Sequence, residues 1–151
     1  MVWPDDLISI ILAALLGAGI GLERELSGKA AGLRTNLLIC LGAAVFTIIS
    51  REMATGPEGS VTRIAAQIVT GVGFLGAGAI IQDRRVHGLT TAATIWLVAS
   101  IGMACGAKFY VLAIVASLIA VLALIGLGQL SKPLERYVKK NKSQSTHHEL
   151  D

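Results

Sequence analysis

Residues 109–131 read FYVLAIVASLIAVLALIGLGQLS, a stretch of 23 residues without a charged side chain. A helix needs about 20 apolar residues to cross a bilayer core, so this stretch alone predicts a membrane span. Four more uncharged stretches precede it, at 7–22, 35–50, 64–82 and 86–107, so all 23 charges lie in the other 55 of 151 residues. This segregation excludes a soluble enzyme, a disordered chain and a coiled coil, and argues against nucleic-acid binding despite a net charge of +3.

The five runs predict an all-α polytopic membrane protein, a bundle of five transmembrane helices. Helices are favoured over barrel strands because the runs are continuously apolar and a bilayer requires backbone pairing within each segment. Side chains at the ends of the two shorter runs, such as Arg34 and Arg51, can reach the interface. We place a transmembrane domain at 1–131, with spans at about 5–22, 35–50, 64–82, 87–107 and 109–131, followed by a basic, disordered cytoplasmic tail at 132–151.

The basic residues predict the orientation. Alternating the loops across the membrane puts ten Lys and Arg residues on one side and three on the other. The positive-inside rule assigns the richer side to the cytoplasm. The expected topology is therefore N-terminus outside and C-terminus inside.

Glycine is frequent in the predicted spans, and small residues let membrane helices approach closely. The third span is so rich in glycine that we expect it to be central in the bundle, and a broken helix lining a cavity is the alternative. Its match to the dinucleotide motif G-x-G-x-x-G lies inside an apolar run instead of between a strand and a helix, so we reject nucleotide binding. The helix-packing candidates are Gly17, Gly21, Gly71, Gly73, Gly76, Gly78, Gly102 and Gly106.

Polar residues at the edges of the spans are candidates for a functional site. Glu23 could pair with Arg34 or with a base after the third span, or could form only weak surface ion pairs worth about 0–1 kcal/mol. Gln67 lies one turn inside its span, and a buried amide in lipid calls for a partner. Threonines early in the fourth span could face a polar pocket or bond back to their own helix. The candidate cluster comprises Glu23, Arg24, Arg34, Thr35, Arg63, Gln67, Asp83, Thr90 and Thr94.

Catalytic and metal-binding patterns are missing from the sequence. No Ser-His-Asp, Cys-His or paired-carboxylate arrangement is readable, so we predict no enzyme and no cofactor. No span holds a central Asp or Glu, which disfavours a proton-coupled carrier. Cys40 and Cys105 lie inside spans and are interpreted as small buried residues. Weak Mg²⁺ binding by Thr, Gln and backbone oxygens stays open.

Five ordered motifs resemble the MgtC/SapB family of bacterial inner-membrane proteins. They are Gly-x-Gly-x-Glu-Arg at 19–24, Ala-Gly-Leu-Arg-Thr at 31–35, Arg-Ile-Ala-Ala-Gln at 63–67, Gly-Phe-Leu-Gly-Ala-Gly at 73–78 and Gly-Leu-Thr-Thr-Ala-Ala-Thr at 88–94. The resemblance covers roughly residues 7–110. It implies a multi-pass inner-membrane protein linked to growth in low magnesium and to virulence, and some members are described as inhibiting the F-type ATP synthase. Longer members carry a soluble C-terminal domain, which this short form is expected to lack.

Two functions remain in competition at this point. The first is a non-enzymatic regulator in the lipid bilayer that acts by contact with membrane partners, the F-type ATP synthase among them. The alternative is a small oligomeric ion transporter or channel for Mg²⁺ or another cation, suggested by the glycine-rich third span beside Gln67, Thr90 and Thr94. A homodimer is a further expectation, because two-fold symmetry is the commonest closed assembly.

Overall fold

The computed structural model describes residues 4–54, 61–82 and 86–127. They form five helices, α1 (Pro4–Leu26), α2 (Leu33–Met53), α3 (Val61–Gly78), α4 (Leu89–Gly106) and α5 (Tyr110–Leu127). Within the described residues, α1, α2, α4 and α5 are long and apolar enough to cross a membrane, and α3 contains the shorter apolar helix Ala65–Gly78. The predicted all-α, polytopic membrane fold is confirmed. The orientation stays a prediction, and the tail at 132–151 lies outside the described residues.

The third helix ends earlier than the third predicted span. α3 stops at Gly78, whereas the predicted span runs to residue 82. The next residues form a small antiparallel hairpin of β1 (Ile81–Gln82) and β2 (Val86–His87). Gly88 follows in the left-handed region with φ +88°, and an added Cβ there would clash with the Ala79 carbonyl oxygen. Apolarity alone cannot separate the last turn of a helix from a short strand, which is why the sequence did not reveal the hairpin.

Glycines bring α1, α2 and α4 into close contact. An added Cβ at Gly17 would stand 2.6 Å from the Cβ of Cys40, and one at Gly21 would stand 2.8 Å from the Cα of Leu33. The corresponding Cβ at Gly106 would lie 2.5 Å from the Ala44 carbonyl oxygen, and Gly102 packs directly against the backbone of α2. These three helices therefore meet backbone to backbone. On α5, the buried Ala113 and Ala120 join the same core.

The position of α3 corrects one expectation. Ile68 and Val72 bury this helix against the rest of the bundle, and Gly76 is in ordinary contact with Ala92 of α4. Its other sides are open: Phe74 is 81% exposed. The prediction that the glycine-rich third span is central in the bundle is wrong, because an added Cβ would meet no atom within 4 Å at Gly71, Gly73 or Gly78. A small residue permits close packing but does not require it.

The helix directions define two ends of the bundle. α1 runs antiparallel to α2, since Gly21 lies near Leu33 while the side chains of Asp6 and Arg51 form an ion pair. α4 runs parallel to α2 and antiparallel to α3. The first end, here called the hairpin end, contains residues 24–36 and the hairpin. The second, here called the Asp6 end, contains residues 4–9, 50–54 and 106–110.

Candidate functional site

Glu23 and Arg24 form an ion pair at the hairpin end. Arg24 is only 3% exposed, and its Nε and Nη2 donate to the Glu23 carboxylate at 2.5 and 2.9 Å. The Ser27 hydroxyl donates to the same carboxylate at 2.7 Å. The suggested pairing of Glu23 with Arg34 does not form, because the neighbouring guanidinium already occupies the carboxylate while Arg34 is exposed. The pair thus fixes the last turn of α1.

Two other side chains shape the loop between α1 and α2 and were not among the predicted site residues. Asn36 is fully buried, and its Nδ2 donates to the carbonyl oxygens of Ala31 and Gly32 at 2.7 and 2.9 Å. The Glu25 carboxylate accepts the backbone N–H of Leu33 at 2.7 Å and so caps α2, whose N-cap Gly32 has no side chain to do so. The sequence signal for Asn36 is an amide near the start of an apolar run, as it is for Gln67.

Hydrogen bonding at the hairpin end is incomplete. Arg24 Nη1 and Asn36 Oδ1 are buried side-chain atoms without a hydrogen-bond partner in the part of the chain that the structure describes. An unmet buried donor or acceptor costs about 1–3 kcal/mol. The two side chains flank the loop that contains the Ala-Gly-Leu-Arg-Thr motif. One donor and one acceptor at this end of the bundle therefore remain unused by hydrogen bonds among the described residues.

The threonines of α4 contribute local bonds. Thr94 is buried, and its hydroxyl donates to the Thr90 carbonyl oxygen at 2.8 Å. The Thr90 side chain is exposed, and Thr35 at the start of α2 is exposed as well. Thr94 therefore bonds back to its own helix, which is the second of the two roles predicted for these threonines. Asp83, the remaining candidate near this end, lies outside the described residues.

Arg63 and Gln67 lie in the other half of the bundle. Both are exposed on α3, beyond Ile68, which packs near Met103 in the last turn of α4. Because α3 and α4 are antiparallel, Gln67 lies toward the Asp6 end while Thr90 lies at the hairpin end. The structure therefore divides the predicted polar cluster into separate sites and does not bring Gln67 to the Glu23 and Arg24 pair.

A second polar site, absent from the sequence predictions, joins four helices at the Asp6 end. Asp6 is 1% exposed and is paired with Arg51, whose Nη1 also donates to the Gly106 carbonyl oxygen at 2.9 Å. Lys108 pairs with Asp5 at 3.2 Å, and the Tyr110 hydroxyl bonds to Ser9 at 2.9 Å. The sequence signal is opposite charge: two acids begin the first predicted span, and basic residues lie on the same predicted side of the membrane.

The described residues contain no side-chain cluster typical of a metal site. No group of three or more His, Cys, Asp or Glu side chains able to hold a metal ion occurs there. Cys40 and Cys105 are buried free thiols in the core between α2 and α4. The polar sites described above consist of ion pairs and side-chain hydrogen bonds, and they connect helices.

The fold and the apolar helix surfaces define a multi-pass membrane protein. The sequence model of the MgtC family matches residues 10–133, and the chain belongs to the MgtC family. No solved structure matches it.

Three relatives illustrate the similarity. The uncharacterized protein slr0014 of Synechocystis sp. strain PCC 6803 is 40% identical over 147 residues, which are 97% of this chain and 60% of that protein. YhiD of Escherichia coli K12, whose name proposes a magnesium transporter, is 46% identical over 80% of this chain and 59% of its own length. Protein MgtC of Salmonella typhimurium strain LT2 is 49% identical over 78% of this chain and 50% of its own length. The chain thus matches 50–60% of the length of these relatives.

Proposed function

We propose that this chain is a non-enzymatic regulator of the bacterial inner membrane, linked to magnesium-limited growth or virulence. It acts by direct contact with other membrane proteins, among them the F-type ATP synthase. Membership of the MgtC family supports this assignment, and the name of the relative YhiD supports its link to magnesium. A homodimer is part of the proposal, and light scattering of the detergent-solubilised full chain measures it.

One exposed surface carries the proposal. Ala66, Thr70, Gly73 and Ala77 recur at helical spacing on α3, and all four are exposed. We call this stripe the outer α3 face. The Thr70 hydroxyl donates a hydrogen bond to the Ala66 carbonyl oxygen at 3.0 Å. The stripe therefore presents a smooth surface of small residues. Such surfaces let a second membrane helix approach closely. The predicted packing glycines of α1 and α4 are already buried against α2, whereas this face is open to a partner; they are Gly17, Gly21, Gly102 and Gly106.

The transport alternative has weaker support. The name of the relative YhiD supports transport. A cation path needs a continuous line of polar groups across the membrane, whereas Gln67 is exposed on α3 and Thr94 is buried on α4 and bonded within its own helix. Liposomes that contain the folded full chain and a Mg²⁺-sensitive dye are expected to show the same Mg²⁺ uptake as empty liposomes. Uptake that requires Gln67 would replace the regulator with a transporter.

The regulator proposal is tested by blocking the outer α3 face. Gly73→Leu adds bulk there, and Gly126→Leu on α5 is the matched control, because an added Cβ meets no atom within 4 Å at either position. Tagged full chains are purified from membranes of cells grown in low magnesium. We expect wild type and Gly126→Leu to enrich ATP synthase subunits equally. Gly73→Leu should retain roughly one tenth, since overpacking costs about 1–3 kcal/mol. Failure of wild type to enrich any synthase subunit would contradict the proposal.

A further inference from the structure

An open groove runs between α2 and α3, on a side of α3 distinct from the outer α3 face. Its volume is about 670 Å³. Leu38 and Phe46 on α2 and Leu75 on α3 contribute apolar walls, and Gly42 and Gly71 leave its floor open. An added Cβ would meet no atom within 4 Å at either glycine. Because the groove lies along apolar membrane helices, lipid chains are the surrounding solvent.

A polar side chain lines the groove at its Asp6 end. Gln67 is the polar side chain among the lining residues, and it is exposed. Arg63 lies one turn earlier on the same face of α3, about 6 Å along the helix axis, and is exposed as well. Neither side chain forms a hydrogen bond or ion pair with another described residue, so both are available to a ligand. From the N-terminal end of α3 inward, the order is a cation, an amide and an apolar channel.

We propose that the groove binds one phospholipid from the surrounding bilayer. A phospholipid presents a phosphate, then ester carbonyls, then acyl chains, which is the same order as Arg63, Gln67 and the apolar walls. The guanidinium forms charge-assisted bonds to the phosphate. The Gln67 amide donates to an ester carbonyl, and one acyl chain lies between α2 and α3.

Charge argues for a lipid over a second copy of the chain. A two-fold contact of this groove with the same groove of another protomer would bring two Arg63 guanidinium groups toward each other. Like charges in a poorly solvated interface are unfavourable, whereas an anionic headgroup neutralises the arginine. A bound lipid also fills the space that α3, at the edge of the bundle, leaves open against α2.

Photocrosslinking of the full chain tests the proposal. The protein is reconstituted in phosphatidylcholine vesicles that contain a minor share of phosphatidylglycerol with a photoreactive acyl chain, and labelled residues are mapped by mass spectrometry. We expect labels on both groove walls. Arg63→Gln should lower this labelling about fivefold, because one arginine near an anionic lipid is worth about a factor of five. Gly71→Leu fills the floor and should remove it.

Matched variants separate binding from misfolding. Lys29→Gln removes an exposed cation in the loop between α1 and α2 that does not line the groove, and Gly19→Leu adds bulk at another open glycine, so both should label as wild type does. Labels that spread over the lipid-facing side of α5 and do not respond to Arg63→Gln or Gly71→Leu would overturn the proposal. Disulfide dimers of Gln67→Cys, together with unlabelled groove walls, would overturn it in favour of a second copy.

Discussion

Asp6 and Arg51 lie 45 residues apart in the chain and form an ion pair in which the carboxylate is enclosed and the guanidinium is partly open. The side chain of Asp6 is 2% exposed and that of Arg51 is 26% exposed. Arg51 also binds the Gly106 carbonyl oxygen, so one guanidinium connects the start of α1 with the ends of α2 and α4. Because the two side chains differ in exposure, loss of one should cost more stability than loss of the other.

Removal of the base should destabilise the fold more than removal of the acid. Arg51→Gln leaves a carboxylate enclosed without its cation, and breaking a buried pair in this way costs about 3–5 kcal/mol. Asp6→Asn leaves a cation that can still reach solvent, so a smaller loss is expected. SDS-induced unfolding of the full chain measures both. Lys108→Gln, which breaks the exposed pair with Asp5, is the control and should cost about 1 kcal/mol or less. Equal losses for all three variants would contradict the enclosed pair.

Glycine substitutions should separate packed positions from open ones. Gly102→Ala places a Cβ against the Cys40 backbone, and overpacking of this kind costs about 1–3 kcal/mol. Gly71→Ala meets no atom within 4 Å, and alanine favours a helix by about 1 kcal/mol over glycine. We therefore expect opposite signs in the same unfolding titration. Similar destabilisation at both positions would show that α3 is packed more tightly than described.

The carboxylate of Glu25 should protect the start of α2. Glu25→Ala frees the Leu33 backbone N–H, which we expect to exchange with deuterium roughly tenfold faster, as loss of a bond worth about 1.4 kcal/mol implies. Glu52→Ala is the matched control, because Glu52 lies at the Asp6 end. Unchanged exchange at Leu33 in the Glu25 variant would contradict the capping role.

The orientation is tested by a reporter fusion. The excess of Lys and Arg on one side predicts that the hairpin end and the C-terminus face the cytoplasm. Alkaline phosphatase fused after Asp151 should be inactive, and a fluorescent protein at the same position should be bright. An active phosphatase at that position would reverse the assigned topology.

Much of the fold was readable from the sequence because membrane helices are specified by simple physics. Length and apolarity predicted the five helices, and the motifs predicted the family. Length and apolarity do not predict the position of α3 in the bundle. Gly17 and Gly71 look alike in sequence, yet one is packed against Cys40 and the other faces open space. Close approach depends on which faces meet, and apolar spans without strong periodicity do not encode that.

The candidate site was less predictable for a related reason. Edge charges such as Glu23 and Arg24 were recognised, but their pairing with each other depends on side-chain direction. The Asp6 and Arg51 pair joins segments 45 residues apart, and a single sequence offers only charge complementarity to find it. The role of Asn36 could not be predicted from the sequence, because a single amide in an apolar run does not indicate which carbonyl oxygens it binds.

ATP synthesis in reconstituted vesicles tests the central claim, regulation by contact through the outer α3 face. Purified F-type ATP synthase is incorporated alone, with the wild-type chain, with Gly73→Leu or with Gly126→Leu, and the synthesis rate is measured under an imposed proton gradient. We expect wild type and Gly126→Leu to lower the rate, while Gly73→Leu leaves it close to that of the synthase alone. An unchanged rate with wild type, in vesicles where the folded chain is present, would contradict regulation by contact.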